Sequence, residues 1–251
     1  MVNTANSEVA AIAESQIGAA SLIFNQLRPT LFEGLTKAEV NLFIAAAEKR
    51  KCRRGALLST EGEPADQLIM VLSGRARYFT FTKDGRRVLL HSILPGEVFG
   101  GMALLHLPAA YLLSTEAIRD GELLVWTRSR IRNLAWRYPR FLENALVTAS
   151  EYLEWYIQSH LLQVSHSAPQ RLAHVVLELA HDIGNPIEEG TELDITNEEL
   201  ADAANITRFS TSRLLRAWQH AGFLTKSRNK VVLRSPDRLF TQSFRRRAGQ
   251  V

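Results

Sequence analysis

The side chains best suited to binding chemistry lie in a short basic stretch near the C-terminus. Arg208, Phe209, Ser212 and Arg213 follow one another at spacings of one, three and one residues, so a helix would place them on one outward face. Arginine can bond guanine O6 and N7 or a phosphate, and hydroxyl groups bond the sugar-phosphate chain. We therefore predict that this stretch reads duplex DNA. The predicted DNA-contacting residues are Thr196, Thr207, Arg208, Phe209, Ser210, Ser212, Arg213, Arg216, Lys226, Arg228 and Lys230.

Two short helices are predicted to position these side chains. Thr196 followed three residues later by Glu199 is a capping-box pattern, and this first helix ends near Asn205. Thr207 is the predicted cap of the second helix, because a threonine there can accept from the backbone of the first turn. The second helix would bury Thr211, Leu214, Leu215 and Trp218. Two short helices joined by a turn of three or four residues are typical of a helix-turn-helix.

A hairpin is predicted to follow the second helix. Gly222 ends that helix, and Phe223–Thr225 and Val231–Leu233 are apolar runs joined through a turn at Arg228 and Asn229. Such a hairpin would form the wing of a winged helix-turn-helix.

The distribution of charge supports a polyanion partner. Residues 205–247 contain eleven Lys or Arg and one acid, a net charge of +10, whereas the whole chain carries only +4. The remaining residues therefore sum to −6, and a weakly acidic body with a basic C-terminal end is typical of nucleic-acid-binding proteins. A basic tail that aids solubility or touches anionic lipid is the alternative that charge alone leaves open.

The middle of the chain has the pattern of antiparallel strands. From about Ala56 to Thr127, short apolar or alternating runs recur roughly every 8–12 residues, separated by turns such as Asp84-Gly85 and Pro95-Gly96. This spacing favours an antiparallel roll or barrel over alternating strands and helices.

A long helix with an apolar seam is predicted after Pro139. Residues recur at alternating spacings of four and three, which is the pattern of a coiled coil. We predict a homodimer through this seam, with an intramolecular packing face as the alternative. The predicted dimer residues are Leu142, Leu146, Ala149, Leu153, Tyr156 and His160, and the seam continues to Gln163.

Composition excludes several classes of protein. The 251 residues are 46% hydrophobic and 22% charged, which is typical of a globular chain with about two domains. A single cysteine, Cys52, excludes an intramolecular disulfide and an all-cysteine iron–sulfur or zinc site. No HExxH, GxSxG or Walker A pattern is present, so we expect no enzyme and no metal site. No membrane-spanning run or secretory signal is recognised, so we expect a cytoplasmic protein without a membrane partner.

These observations together define an α+β fold: a jelly-roll-like antiparallel β-roll at the N-terminal side, a long dimerisation helix and a C-terminal winged helix-turn-helix domain. The predicted divisions are an N-terminal arm (1–20), a β-roll domain (21–137), the dimerisation helix (138–167) and the DNA-binding domain (168–251).

The chain resembles the CRP/FNR family of transcription regulators from about Phe24 to Leu239. The segments that carry the resemblance are Leu31–Thr36, Val71–Gly74, Asp84-Gly85, Pro95–Gly100, Ala103–Leu105, the long helix and Thr207–Leu215. The resemblance implies a cyclic-nucleotide-binding-type β-roll and a ligand or signal that reorients the two DNA-reading helices of a dimer. The resemblance implies that residues 21–137 are the effector domain. It also makes RNA polymerase a candidate partner and a palindromic site the expected DNA target.

The chain departs from the family where members bind cAMP. Those members have a glutamate for the ribose and an arginine for the phosphate, whereas the matching positions here are Gly101 and Tyr111. We therefore expect an effector other than cAMP. The predicted effector pocket consists of Val98, Phe99, Gly100, Gly101, Met102, Tyr111, Leu112, Tyr156 and Ile157.

The cofactor is left unassigned by the residues. An iron–sulfur cluster of the type that some family members hold needs several cysteines. Haem stays open as an alternative, with Met102, His91, His106 and His160 as candidate ligands near the pocket. In the recognition helix Phe209 replaces the family glutamate, which removes a partner for cytosine and provides an apolar contact for a thymine methyl.

The leading hypothesis is a dimeric, sequence-specific transcription regulator. The alternatives are a cyclic-nucleotide-type module that acts on a partner protein, and a haem-based gas sensor version of the same regulator.

Overall fold

The computed structural model of the chain describes residues 26–83, 85 and 87–244. The predicted N-terminal arm, residues 1–20, lies outside the described residues. The chain divides into two compact units, Met1–Glu154 and Trp155–Val251. The boundary between the units falls inside the long helix, whereas the predicted divisions lie at its two ends, after residues 137 and 167.

The first unit is built on a six-stranded antiparallel sheet with short helices before and after it. Its strands are β1 (Glu48–Cys52), β2 (Leu57–Ser59), β3 (Gln67–Phe81), β4 (Arg87–Ile93), β5 (Val98–Phe99) and β6 (Ser114–Thr127). In the sheet, β1, β6, β3 and β4 are neighbours in that order, β2 pairs with β6, and β5 pairs with β3. Its helices are α1 (Lys37–Ala46), α2 (Arg128–Arg137) and the start of α3 (Pro139–Ser165), with 3-10 turns at Thr30–Phe32 and Gly101–Leu104.

The predicted antiparallel roll is confirmed, but two of its strands are longer than the predicted spacing of turns. Strand β3 has 15 residues and runs through Ser73-Gly74, and β6 has 14 residues. At Gly74 the φ angle is +82°. A Cβ there would lie 2.5 Å from the carbonyl oxygen of Asp120, and one at Gly121 would lie 2.0 Å from that of Ser73. Two opposed glycines thus allow the register of the β3–β6 ladder to shift at this point without ending either strand. Strand β1 was not predicted.

The core of the first unit joins the sheet to the helices. Phe32, Phe43 and Phe141 are buried against Trp126 of β6, and the Trp126 Nε1 donates a 2.7 Å hydrogen bond to the Phe43 carbonyl oxygen. The Phe43 and Phe141 rings stack at 4.5 Å between centroids. This packing fixes the beginning of α3 on the roll.

The second unit is a helical domain with a small sheet. Besides the end of α3, its helices are α4 (Ala168–Ile183), α5 (Asn197–Ala203), α6 (Arg208–His220) and α7 (Pro236–Phe244). Its strands are β7 (Asn185–Ile187), β8 (Gly190–Asp194), β9 (Leu224–Ser227) and β10 (Lys230–Leu233), which form one antiparallel sheet in the order β7, β8, β10, β9. The predicted wing hairpin is β9–β10, and β7 and β8 were not predicted. Within the described residues, no helix combines the length and apolarity needed to cross a membrane.

Candidate nucleic-acid interface and effector region

The helix α5 begins with the predicted capping box. The Glu199 N–H donates to Thr196 Oγ1 at 3.2 Å, and the Thr196 N–H donates to Glu199 Oε2 at 2.7 Å. Leu200 and Ala201 are buried in the core of the unit. The cap fixes the start of α5, so Thr196 stabilises the fold of this unit.

The helix α6 is the outward-facing helix of the pair. Thr207 caps it by accepting from the Ser210 N–H at 3.1 Å. Thr211, Leu215 and Trp218 are buried and Leu214 is half-buried, as predicted. The opposite face carries the predicted contact residues, since Phe209 is 80% exposed and Arg213 and Arg216 are exposed as well. Ser210 and Ser212 are half-exposed.

Arg208 is the predicted contact residue with an unforeseen partner. Its guanidinium forms an ion pair with the Glu198 carboxylate of α5, although both side chains remain largely exposed. The two residues are ten positions apart along the chain, and no local pattern in the sequence indicates the pair.

The wing lysines are also held by neighbours. Lys226 donates to the Asn197 side-chain oxygen, and its partial burial lowers the pKa of the Lys226 ammonium. Lys230 is exposed and pairs with Glu192 at 2.9 Å, and this hydrogen bond raises the pKa of the Lys230 ammonium. Arg228 is exposed at the hairpin turn beside Asn229, whose φ angle is +59°.

The loop at Phe99–Met102, part of the predicted effector pocket, lies against Gln67 of β3 and Tyr111. The φ angle of Gly100 is +79°, and a Cβ there would lie 2.3 Å from the Gln67 carbonyl oxygen, so only glycine fits. The Tyr111 hydroxyl lies 3.2 Å from both the N–H and the carbonyl oxygen of Gln67. A Cβ at Gly101 would have no heavy atom of the described residues within 4 Å, apart from its chain neighbours. Tyr111 therefore stabilises the loop, and the Gly101 position offers no acceptor.

The other predicted pocket residues occupy different surroundings. Phe99 is buried in the sheet core, Val98 packs half-buried, and Met102 is half-buried. Leu112 is 69% exposed. Tyr156 and Ile157 are exposed and belong to the second unit, Trp155–Val251.

An unpredicted aromatic cluster joins β3, β4 and α3. The Tyr152 ring of α3 meets the Tyr78 ring at 5.9 Å and the His91 ring at 5.7 Å, both edge to face. Burial raises the pKa of the Tyr78 hydroxyl. Burial also lowers the pKa of His91 to about 4, although a carboxylate oxygen of Glu97 lies 3.9 Å from its Nε2. Desolvation thus outweighs that carboxylate, and His91 is neutral at pH 7.

Two arginines of the roll are already paired with one acid. Arg77 and Arg87 contact Glu116 at 2.5 and 2.6 Å, and the Arg87 guanidinium lies 3.8 Å above the centre of the Phe79 ring. Burial would raise the pKa of Glu116, but hydrogen bonds from Arg87 and Arg77 overcome it and lower that pKa. These cations are therefore engaged within the sheet.

The remaining candidate haem ligands lie on the surface. His106 is exposed with its Nδ1 3.2 Å from an Arg132 Nη2, and His160 is exposed on α3. Of the four candidates, only His91 is a largely buried imidazole.

The predicted seam on α3 presents apolar side chains to solvent. Leu146, Leu153, Tyr156 and the neighbouring Val164 are between 55% and 74% exposed, and Ala149 is exposed as well. Leu142 differs from the prediction, because it packs half-buried against the core of the first unit. The intramolecular alternative therefore holds for Leu142 but leaves the rest of the seam unburied within the unit to which each residue belongs.

Comparison with known proteins agrees with this architecture. The cyclic nucleotide-binding domain family matches residues 49–138, and the Crp-like helix-turn-helix domain family matches residues 170–240. The chain is 30% identical over 205 residues to the cyclic AMP receptor protein of Thermus thermophilus, covering 81% of this chain and 92% of that protein. It is 24% identical over 216 residues to the CRP-like cAMP-activated global transcriptional regulator of Mycobacterium tuberculosis, covering 84% and 95% of the two chains. The solved structure of FixK2 from Bradyrhizobium japonicum matches with a TM-score of 0.68 at 25% identity, covering 77% and 95%.

Proposed function

Because the chain belongs to the CRP/FNR family of transcription regulators, which are DNA-binding proteins and not enzymes, we propose that it acts as a homodimer on palindromic duplex DNA under the control of an effector other than cAMP. The observation that carries this proposal is the outward face of α6, where Phe209, Arg213 and Arg216 are exposed above a fully packed helix-turn-helix core. We keep the predicted division into effector domain, dimerisation helix and DNA-binding domain.

We assign base reading to the start of α6. Within the part of the chain that the structure describes, the Arg213 guanidinium has no ion-pair partner, and its fork of donors suits the O6 and N7 acceptors of guanine in the major groove. Phe209 has no polar atom to offer, so it suits a thymine methyl. Arg208 enters the site already paired with Glu198, and its guanidinium can keep that partner while it donates to a base or a phosphate.

We assign positioning on the phosphate backbone to the remaining contact residues. Hydroxyl and cationic groups lie around α6 and the wing, and contacts of such groups with phosphates fix the register of a protein on DNA without reading the base sequence. These residues are Thr207, Ser210, Arg216, Arg228 and Lys230. Lys226 contributes less, because it is half-buried and bonded to Asn197.

Dimerisation follows from the exposed apolar face of α3. A row of exposed apolar side chains on one helix face is typical of an interface, and a helix seam at four-and-three spacing is best covered by a second copy of itself. RNA polymerase is the further partner that a transcription regulator of this family is expected to contact.

The case against cAMP rests on charge. A cyclic phosphate taken out of water needs a cation or several donors, since an uncompensated buried charge costs many kcal/mol. The Tyr111 hydroxyl is bonded to the Gln67 backbone, and Leu112 is apolar. On β3 and β4, Arg77 and Arg87 are paired with Glu116. Two relatives carry cAMP in their names, so this part of the proposal departs from them.

One experiment tests DNA binding and symmetry together. The purified protein is used to enrich duplexes from a randomised DNA library, and binding of the enriched sequence is measured against salt concentration. We expect an inverted repeat bound by one dimer, with log K falling linearly with log salt concentration. Enrichment of no sequence would overturn the proposal and favour a module that acts on a partner protein. A visible absorption spectrum of the same sample tests haem through its Soret band.

A further inference from the structure

Arg171, at the start of α4, bonds to three carbonyl groups from two different parts of the second unit. Its Nη1 donates to the carbonyl oxygen of His166 at 3.0 Å, in the break between α3 and α4. Its Nε donates to Ala204 at 3.0 Å and its Nη2 to Asn205 at 3.2 Å, in the turn between α5 and α6. One guanidinium therefore joins the end of the long helix to the turn of the helix-turn-helix.

Asn205 connects the same turn directly to α3. Its φ angle is +49°, a left-handed conformation that asparagine tolerates better than most residues. Its side-chain Nδ2 donates to Gln163 Oε1 on α3 at 3.1 Å. Gln163 is the polar end of the predicted seam, and this hydrogen bond gives that residue a role that dimerisation does not explain.

The break between α3 and α4 is itself held by hydrogen bonds. The His166 N–H donates to the Leu162 carbonyl oxygen at 3.0 Å, and Ser167 and Gln170 form a capping box at the start of α4. The His166 ring also meets the Phe244 ring of α7 at 5.6 Å. The segment that carries Arg171 is therefore fixed at both ends.

We propose that Arg171 and Asn205 are positioning residues that hold the helix-turn-helix at one orientation on the end of α3. In a dimer through α3, that orientation sets the separation and the angle of the two recognition helices. Half-sites of a palindrome lie about one helical turn of DNA apart, so both helices bind only if this separation is correct. The inference rests on the proposed function, because it assumes a dimer on an inverted repeat.

The alternative role for Arg171 is a phosphate contact. Its Nε and both terminal nitrogens each donate to a carbonyl oxygen of the protein, which leaves two of its five N–H donors for such a contact. The planar fork of donors is what these three carbonyls use, and a lysine carries the same charge without that geometry. Arg171→Lys therefore separates the two roles.

The test compares three variants on three kinds of duplex. Gln163→Ala removes the acceptor on α3, Asn205→Gly removes the side chain while tolerating the positive φ, and Arg171→Lys keeps the charge. Gln158→Ala, an exposed amide on the same helix, is the matched control. The duplexes are the inverted repeat enriched by the unmodified protein, a single half-site, and the repeat with its spacer lengthened or shortened by one base pair.

We expect each variant to lose about five- to tenfold in affinity for the full repeat, the usual size of a coupling between sites. Half-site affinity and the salt slope should stay unchanged, the preference for the original spacer should shrink, and the Gln158→Ala control should match the unmodified protein. Thermal melting and light scattering check that each variant is folded and dimeric. Gln163→Ala changes only an exposed side chain and so carries the test if Arg171→Lys does not fold.

Two results would overturn this inference alone. Unchanged full-site affinity and spacer preference would show that the contacts do not set the orientation. An equal loss on the half-site, or full affinity and an unchanged spacer preference in Arg171→Lys, would show that the residues act through a DNA contact within one half-site. A failure of the unmodified protein to enrich an inverted repeat would instead overturn the proposed function, and this inference with it.

Discussion

Single residues on the outward face of α6 divide into paired and unpaired cations. Arg208 is paired with Glu198, whereas Arg213 has no ion-pair partner among the described residues. When the Arg213 guanidinium bonds a base, it does not have to break an ion pair with a carboxylate of the described residues. This difference makes Arg213 the residue most directly suited to reading a guanine.

Arg213→Ala should therefore reduce specific binding by about 1–3 kcal/mol while leaving random DNA almost unaffected. The reason is that a base contact contributes only where the correct base is present. Fluorescence anisotropy against the enriched repeat and against random duplex measures the difference.

Lys230→Ala is the matched control, because Lys230 is exposed on the wing. It should weaken all sequences alike and lower the salt slope by about one. If Arg213→Ala harmed random DNA as much as the enriched repeat, Arg213 would be a phosphate contact and the base-reading assignment would be wrong.

His91 predicts a loss of stability in mild acid. The folded state holds the pKa of His91 at about 4, below the ordinary value of 6.5, because the ring is buried against Tyr152. Between these values the unfolded chain binds the extra proton, so the free energy of unfolding decreases as the pH falls. Between pH 7 and pH 4.5 the decrease from this group should be ~2 kcal/mol.

Urea unfolding at both pH values measures this effect in the unmodified protein and in His91→Gln, which cannot take up the proton. The variant should lose less stability on acidification. The pKa of Glu116 is lowered by Arg77 and Arg87 in both proteins, so its titration cancels in the comparison. Equal losses in the two proteins would show that His91 is not the group responsible.

At the scale of elements, α3 is buried at its beginning and carries exposed apolar side chains further along. Its beginning is buried in the first unit through Phe141 and Asn144, whose side-chain nitrogen donates to the carbonyl oxygens of Leu31 and Glu33 at 3.1 and 2.7 Å. Beyond this, Tyr152 packs edge to face against Tyr78 and His91, whereas Leu146, Leu153, Tyr156 and Val164 are exposed. These exposed side chains form the part of the helix that is available for association.

Leu153→Asp should dissociate the dimer. Leu153 is 57% exposed in the single chain, and burying such a side chain contributes about 1.5–3 kcal/mol, which the variant replaces with the cost of desolvating a carboxylate. Light scattering at micromolar concentration measures the mass. Gln158→Asp places the same charge elsewhere on the helix and should remain dimeric. A Leu153→Asp protein that is still dimeric would show that another surface forms the interface.

At the scale of the whole molecule, cAMP should not stabilise the protein. A ligand at a hundredfold over its dissociation constant adds ~2.7 kcal/mol to the free energy of unfolding, which raises the melting temperature by roughly 2–4 °C per kcal/mol for a chain of this size. We expect no dose-dependent shift with millimolar cAMP, since the phosphate would find no free cation in the loop. Thermal melting measures it. A shift of several degrees together with tighter DNA binding would contradict this prediction.

Much of this molecule follows from its sequence, because the features concerned are local. The capping residues Thr196 and Thr207, the buried face of α6 and the wing turn depend on side chains within a few positions of each other, and each was predicted where the structure has it. The concentration of positive charge near the C-terminus is likewise a property of composition. The roll as a class follows from the period of strands and turns.

Only the tertiary structure decided which of these residues have partners. Glu198 meets Arg208, Glu116 meets Arg77 and Arg87, and Tyr152 meets His91 across distances along the chain that no short-range pattern encodes. The long strands β3 and β6 also depend on the opposed pair Gly74 and Gly121, because whether a glycine ends a strand depends on what faces it. Types and spacing of residues therefore established what the surface can bind, whereas packing established which groups remain free to bind it.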